Sequence, residues 1–153
     1  MKIISHRGNI NGPENFFENS PEHIQKALDM GFDVEIDLRI KGGTPHLGHD
    51  TADHPVSKEW LRERRNNLWI HVKERTALEW ILGSDLVFFF HESDPYVLIS
   101  NGYVWAHDLT VMNSKFVIPL LSKESLIDFD KYGFYGVCSD FPLECKRLFS
   151  DLL

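Results

Sequence analysis

The segment 33–40 constrains the fold more than any other part of the sequence. It reads Asp-Val-Glu-Ile-Asp-Leu-Arg-Ile, so polar and apolar residues alternate strictly, as in a β-strand with two different faces. Glu35 and Asp37 stand two residues apart and therefore project from the same face. This pattern fits an antiparallel strand with one wet face. It also fits a buried strand whose paired carboxylates are neutralised by a divalent cation.

Short apolar segments alternate with helical segments along the chain. Strands are predicted at residues 2–5, 33–40, 68–72, 86–90, 96–100, 116–121 and 134–138. Ser20-Pro21-Glu22 is typical of a helix start, and that helix should end at Gly31. Further helices are predicted at residues 76–82, 123–132 and 143–152.

The alternation of strands and helices favours a parallel α/β fold in a single domain, residues 1–153. A complete eightfold (β/α) barrel takes roughly 250 residues, whereas 153 residues leave only about 19 per unit. A barrel built from this chain must therefore shorten or lose several outer helices. An open α/β sheet is the alternative.

The net charge and the cysteine spacing exclude some kinds of binding site from this sequence. The formal net charge of −7 argues against a nucleic-acid-binding surface, and we expect no nucleic-acid partner. The basic residues Arg62, Arg64 and Arg65 have acidic neighbours and indicate a solvated helix face. Cys138 and Cys145 form no CxxC motif, so free buried thiols are expected. Without a visible signal peptide or an apolar run long enough to span a membrane, we expect a cytoplasmic protein.

Residues suited to metal binding or proton transfer stand at the ends of the predicted strands. His6 and Arg7 follow the first strand, and His49 follows the turn after the second. His71 and Lys73 form another i, i+2 pair at the end of the strand 68–72.

Several of these motifs occur together in a recognisable order. They are His6-Arg7-Gly8, Glu18-Asn19-Ser20, Gly31 to Asp37, Lys41-Gly42-Gly43 and His49-Asp50. The series resembles the N-terminal signature of the glycerophosphodiester phosphodiesterase family, one of the phosphatidylinositol-specific phospholipase C-like barrels. Ser139-Asp140-Phe141-Pro142 resembles the family's closing element. Pro13-Glu14-Asn15 also reads as the family's PEN element, but we align Glu18-Asn19-Ser20 because the helix begins directly after it.

The resemblance implies a compact TIM-like barrel with a metal-dependent phosphodiesterase site. In that scheme His6 and His49 are the general acid and base, and Glu35 and Asp37 bind the metal. Arg7 would contact the phosphodiester, and Glu18 would lie at the edge of the site. The substrate would be a small-molecule or lipid-headgroup phosphodiester, and the cofactor Mg²⁺, Mn²⁺ or Ca²⁺.

The strand Trp69 to Lys73 departs from the family pattern, since His71 stands where a Glu is expected. His71 is either a third metal ligand, which would favour Mn²⁺, Fe²⁺ or Zn²⁺ over Ca²⁺, or a phosphate contact. Lys73 is either a phosphate contact or part of a buried ion pair. Trp105 is either a stacking surface for the substrate alcohol or a core residue.

Four histidines match no family element and are read as surface or hinge residues: His23, His46, His54 and His107. His91 and Asp94 either line the mouth of the site or belong to a loop. Two alternatives to an enzyme remain open. One is an inactive barrel that binds phosphate-containing ligands, and the other is a structural protein that keeps the motifs by descent.

Overall fold

The structure is a computed structural model that describes residues 1–127, 129–130 and 132–153. Its strands are β1 (Lys2–His6), β2 (Asp33–Lys41), β3 (Thr44–Leu47), β4 (His54–Pro55), β5 (Leu68–Val72), β6 (Phe88–Phe90), β7 (Tyr96–Leu98), β8 (Val104–Ala106), β9 (Phe116–Pro119) and β10 (Gly136–Ser139). The α-helices are α1 (Pro21–Asp29), α2 (Lys58–Glu63), α3 (Arg75–Ile81), α4 (Lys123–Ile127) and α5 (Pro142–Leu148), and a 3₁₀ turn follows at Ser150–Leu152. No helix within the described ranges is long and apolar enough to cross a membrane.

Strand β1 lies in the middle of the curled sheet and pairs in parallel with both β2 and β10. On one side the parallel order continues through β5 to β6, and on the other through β9 to β8. The strands β3, β4 and β7 are antiparallel additions. The result is a mixed α/β fold with a partial TIM-like barrel.

The predicted barrel is not closed. Within the described residues no strand ladder joins β6 to β7 or β8. One backbone hydrogen bond, from Ser100 N–H to Phe88 O at 2.9 Å, crosses this gap. The strands β6, β7 and β8 that border the gap are each three residues long. The expected compact TIM-like barrel is therefore present only in part, as a curled sheet that does not close.

Strand β2 is buried on both faces, which rules out the antiparallel strand with a wet face. It lies between the parallel strands β1 and β5, and Asp33, Glu35 and Asp37 are all buried. Asp33 accepts hydrogen bonds from Asn67 and Trp69 at 2.9 and 3.0 Å. It also forms an ion pair with Lys2. The strand therefore carries several buried carboxylates, and each requires a partner.

Side chains from alternate strand positions fill the inside of the curled sheet. This inner cluster comprises Ile4, Trp69, Phe89, Val97, Ile99, Trp105, Val117 and Cys138. Burying each large apolar side chain contributes about 1.5–3 kcal/mol. Residues two positions further along each parallel strand lie above this layer, at the carboxyl ends of the strands.

The outer helices are short, as the chain length requires. Ser20 caps α1 by accepting the His23 N–H, and the helix is followed by Gly31 with φ of +86°. The helices predicted at 76–82 and 143–152 are observed as α3 and α5, the latter continued by the 3₁₀ turn. The helix predicted at 123–132 is shorter than expected, since α4 ends at Ile127 and residues 129, 130 and 132 are not helical. Positions 128 and 131 lie outside the described residues. Cys138 and Cys145 are free and buried.

Candidate metal and phosphate site

Three adjacent parallel strands bring the polar residues of the site together. Strand β1 ends at His6, which is in register with Glu35 on β2. Two residues further along β2, Asp37 is in register with His71 on β5. Because the strands are parallel, their carboxyl ends meet at one edge of the sheet, and the four side chains share it.

Glu35, Asp37 and His71 form a cluster that could hold a metal ion. One potential ligand atom from each residue lies within 4.8 Å of the others. His71 Nδ1 is 3.7 Å from Glu35 Oε1 and 3.5 Å from Asp37 Oδ1. Within the described part of the chain, Glu35 Oε2 and Asp37 Oδ1 are buried without a hydrogen-bond partner.

The protonation tendencies of the cluster follow from its burial. Burial and the charge of Asp37 raise the pKa of Glu35 to about 7. Burial would also raise the pKa of Asp37, but Arg7 and the hydrogen bond from Asn19 outweigh it and the pKa is lowered. Burial and the charge of Lys73 lower the pKa of His71 to about 3. His71 is therefore neutral, and its carboxylate contacts are not ion pairs.

The donor set fits the divalent cation implied by the resemblance. Two buried carboxylate oxygens accept no hydrogen bond from the part of the chain that the structure describes, and a neutral imidazole nitrogen lies beside them. A neutral imidazole has a free lone pair for ligation, whereas a protonated one does not. Two carboxylates with one imidazole suit a cation such as Mn²⁺, Fe²⁺ or Zn²⁺.

Arg7 occupies a sharp turn directly after β1. Its φ is +55°, and Gly8 follows with φ of +86°. A Cβ at Gly8 would come within 2.9 Å of the His23 ring, so glycine allows the turn to pack against α1. The turn directs the Arg7 guanidinium inward, where Nε is 2.9 Å from Asp37 Oδ2 and a terminal nitrogen is 3.1 Å from Glu18.

Asn19 holds Asp37 in place, a role that sequence reasoning did not assign. Its side-chain amide donates to Asp37 Oδ2 and accepts the Asp37 backbone N–H, both at 2.9 Å. Its own backbone N–H donates to the Arg7 carbonyl at 3.0 Å, and its φ is +62°. The signal in the sequence was the Glu18-Asn19-Ser20 element, in which only Glu18 was singled out.

Asp140 orients His6, and this role was also missed. The His6 ring donates through Nδ1 to Asp140 Oδ1 at 2.7 Å, and the Asn9 amide donates to the same oxygen at 2.7 Å. Burial opposes protonation of His6, but the hydrogen bond to Asp140 and the charges of Glu35 and Asp140 outweigh it and raise the pKa of His6. Asp140 belongs to the closing element, where the family pattern could have drawn attention to it.

His49 lies apart from His6, on the outer edge of the site. No hydrogen bond or ion pair joins the two histidines in the described ranges. His49 lines a polar pocket of about 410 Å³ with Arg7, Glu18 and Asn19. Its side chain is 41% exposed, and Nδ1 is 2.8 Å from Asp50. Arg7 and Asn19 contact Asp37 as well, so they connect this pocket to the cluster of Glu35, Asp37 and His71.

The contacts of Lys73 and Trp105 match the structural alternatives given above, which are a buried ion pair and a core residue. The Lys73 ammonium lies 3.7 Å from Asp37 Oδ1, as in a buried ion pair. Trp105 is 5% exposed and stacks on Phe89 at 4.7 Å. Their assignment to substrate binding stays a prediction.

His23 differs from its predicted surroundings, whereas His91 takes one of the two placements predicted for it. His23, expected at the surface, is 4% exposed, and its Nε2 lies 3.3 Å from Asn9 Oδ1. It is buried because it packs under the turn at Gly8. His91 follows β6 and packs against His71, so of its two predicted placements the structure favours the mouth of the site.

Comparison with known proteins supports the fold. A crystal structure from Silicibacter pomeroyi DSS-3, of a protein described as a putative glycerophosphoryl diester phosphodiesterase, superposes with a TM-score of 0.58. The match covers 99% of this chain and 94% of that one, at 13% sequence identity. No protein-family model and no curated protein matches the sequence. The chain therefore shares the α/β fold of that phosphodiesterase-like structure.

Proposed function

We propose that this protein is a metal-dependent phosphodiesterase acting on a phosphodiester of the glycerophosphodiester type. The observation that carries the proposal is the buried cluster of Glu35, Asp37 and His71, in which two carboxylate oxygens accept no hydrogen bond from the described residues. A cluster of this kind stabilises the fold poorly without a cation. The similarity of the whole chain to a phosphodiesterase-like structure supports the choice of reaction.

Arg7 is the proposed phosphate contact. Its guanidinium is held by Asp37 and Glu18 and also borders the polar pocket, so its position is fixed before substrate arrives. A planar guanidinium matches the oxygens of a phosphodiester. A divalent cation bound by Glu35, Asp37 and His71 would polarise a phosphate oxygen and offset the charge that develops on it.

His6 and His49 are the proposed proton carriers. Asp140 holds Nδ1 of His6, which leaves Nε2 directed to the carboxylate side, 3.9 Å from Glu35 Oε2. The raised pKa favours protonated His6, so His6 is the general acid that gives a proton to the leaving alkoxide oxygen. His49 accepts the proton of the attacking water or hydroxyl as its oxygen bonds to phosphorus and the ester P–O bond breaks.

A second candidate is a barrel that binds phosphate-containing ligands without cleaving them. The observation in its favour is that His49 is exposed and paired with Asp50, with no contact to His6 in the described ranges. Such an arrangement would retain the cation and Arg7 but lack the second proton carrier.

The test is hydrolysis of bis(p-nitrophenyl) phosphate and of glycerophosphodiesters with Mn²⁺, Mg²⁺ or Ca²⁺, and with EDTA. We expect turnover that EDTA abolishes and that Asp37→Asn lowers by at least about 10²-fold. Asp33→Asn is the matched control, since Asp33 lies on the same strand at the other end of the sheet. Binding of cation and glycerophosphodiester without turnover would favour the second candidate, and absence of both would overturn the two together.

A further inference from the structure

A histidine outside the metal cluster packs directly against its imidazole member. His71 on β5 is in register with Phe89 on β6, and His91 comes two residues after Phe89. The His71 ring lies 4.8 Å from the Phe89 ring and 4.7 Å from the His91 ring, with interplanar angles of 13° and 8°. Strand β6 and its continuation therefore offer two nearly parallel rings, and His71 packs on both.

We propose that His91 is a positioning residue that fixes the ring plane of His71 for metal binding. This proposal rests on the metal cluster of the proposed function. The torsion that rotates a histidine ring has broad minima, so neighbouring groups decide the direction of the nitrogen lone pair. Metal ligands must be held within about 10–20° of the productive direction. With both rings in place, His71 Nδ1 faces Glu35 and Asp37.

The rings that contact His71 are anchored in the inner core through Phe89. Phe89 is 1% exposed and stacks on Trp105 at 4.7 Å and 21°. Phe89 therefore cannot move aside when His71 turns. His91 is half-buried and lies 5.9 Å from Phe89, so it is the ring whose removal would free His71 without emptying the core.

The contacts of His91 argue against a role as a ligand. It is not part of the cluster whose ligand atoms lie within 4.8 Å of one another. Its ring contacts in the described ranges are with His71, Phe89 and His107. His91 contacts His71 by the stacking of the two rings, 4.7 Å apart at 8°.

The test is Mn²⁺ and Mg²⁺ affinity, measured by isothermal titration calorimetry on the full chain. We expect His91→Ala to weaken Mn²⁺ binding by roughly 10–100-fold, the range typical for residues that orient a ligand. His91→Phe keeps a flat ring without a nitrogen and should stay within about twofold of the wild type. His107→Ala is the matched control, because it removes a neighbouring imidazole that does not touch His71, and it should bind as the wild type does.

Each other outcome overturns the proposal. Unchanged affinity in a folded His91→Ala protein would show that His71 needs no support from this ring. Equal losses in His91→Phe and His91→Ala would show that a nitrogen of His91 is a ligand. Melting of the metal-free variants checks the fold, and if His91→Ala does not fold, a loss in His91→Phe alone overturns the proposal while retention supports it.

The affinity measurement separates this proposal from the proposed function. A wild-type protein that binds Mn²⁺ but cleaves no diester would remove the phosphodiesterase proposal and leave the role of His91 intact. If the wild-type protein cleaves diesters and His91→Ala keeps full metal affinity, the role of His91 is overturned and the phosphodiesterase proposal stands. A wild-type protein that binds neither cation would overturn both.

Discussion

The His6 ring is hydrogen-bonded to Asp140 at 2.7 Å, although the two residues are 134 positions apart in the sequence. The contact exists because β1 and β10 are neighbouring parallel strands whose carboxyl ends coincide. It joins the first and last motifs of the chain.

Asp140→Asn should lower kcat/KM by about 10²–10⁴-fold, the contribution typical of general acid catalysis. The change removes the charge and hydrogen-bonded carboxylate that raise the pKa of His6, so that pKa should fall. The basic limb of the pH–rate profile should then move to lower pH. An NMR titration of the His6 ring provides an independent measurement.

Asp108→Asn is the control for this variant, since Asp108 is an outer carboxylate bonded to Tyr96 and Thr110. An unchanged His6 titration in Asp140→Asn would contradict the assigned role.

Glu35→Gln should stabilise the metal-free protein at pH 8 by about 1–3 kcal/mol. A carboxyl with a raised pKa disfavours its charged form in the folded state. The metal-free fold therefore loses stability as pH rises from the unfolded value of 4.5 to about 7, and a neutral amide avoids this loss. Thermal melts with EDTA at pH 5 and pH 8 measure the difference, which should nearly vanish at pH 5.

Asp37→Asn should have the opposite effect on the metal-free protein. The carboxylate is paired with Arg7 at 2.9 Å and lies 3.7 Å from the Lys73 ammonium, so its charge stabilises the fold. Relief of carboxylate repulsion alone would have predicted unchanged or higher stability, but these two cations reverse the sign. We expect a loss of about 3 kcal/mol, as when one partner of a buried pair is removed. Equal melting of Asp37→Asn and wild type in EDTA would refute this.

His71→Glu should shift metal preference from Mn²⁺ toward Mg²⁺ and Ca²⁺, because a third carboxylate completes an all-oxygen set. If His71 instead contacts the substrate phosphate, the new charge would repel the substrate. Activity would then collapse with every cation while Mg²⁺ affinity hardly changed. Calorimetry and rate measurements on the same preparations distinguish the two roles.

Glu74→Gln should reduce stability at neutral pH by about 1 kcal/mol or less, since the side chain is partly exposed. Burial opposes ionisation of Glu74, but the backbone N–H of Ile40, the Thr76 hydroxyl and Arg39 outweigh it and lower its pKa. Its stabilising effect is therefore present above the unfolded pKa and is lost as pH falls through the lower folded value. Urea unfolding at pH 7 and below pH 4 should show a difference that shrinks in acid.

Local pattern predicted most of the secondary structure, whereas the metal-binding roles proposed for Glu35, Asp37 and His71 came from the family resemblance. Alternation in 33–40 placed Glu35 and Asp37 on one face, because side-chain direction in a strand has a fixed period of two. The same rule paired His71 with Lys73. Helix α1 was predicted from its cap at Ser20 and its stop at Gly31, where backbone geometry depends on a few neighbouring residues.

The tertiary structure decided everything that depends on which strands become neighbours. Only the pairing of β1 with β10 brings Asp140 to His6, and only the pairing of β5 with β6 brings Phe89 and His91 to His71. The tertiary structure also decided that the edge beside β6 stays open and that β2 is buried on both faces. Local periodicities can be read directly from a sequence. Contacts between distant residues depend on strand order and register, which arise only when the whole chain packs.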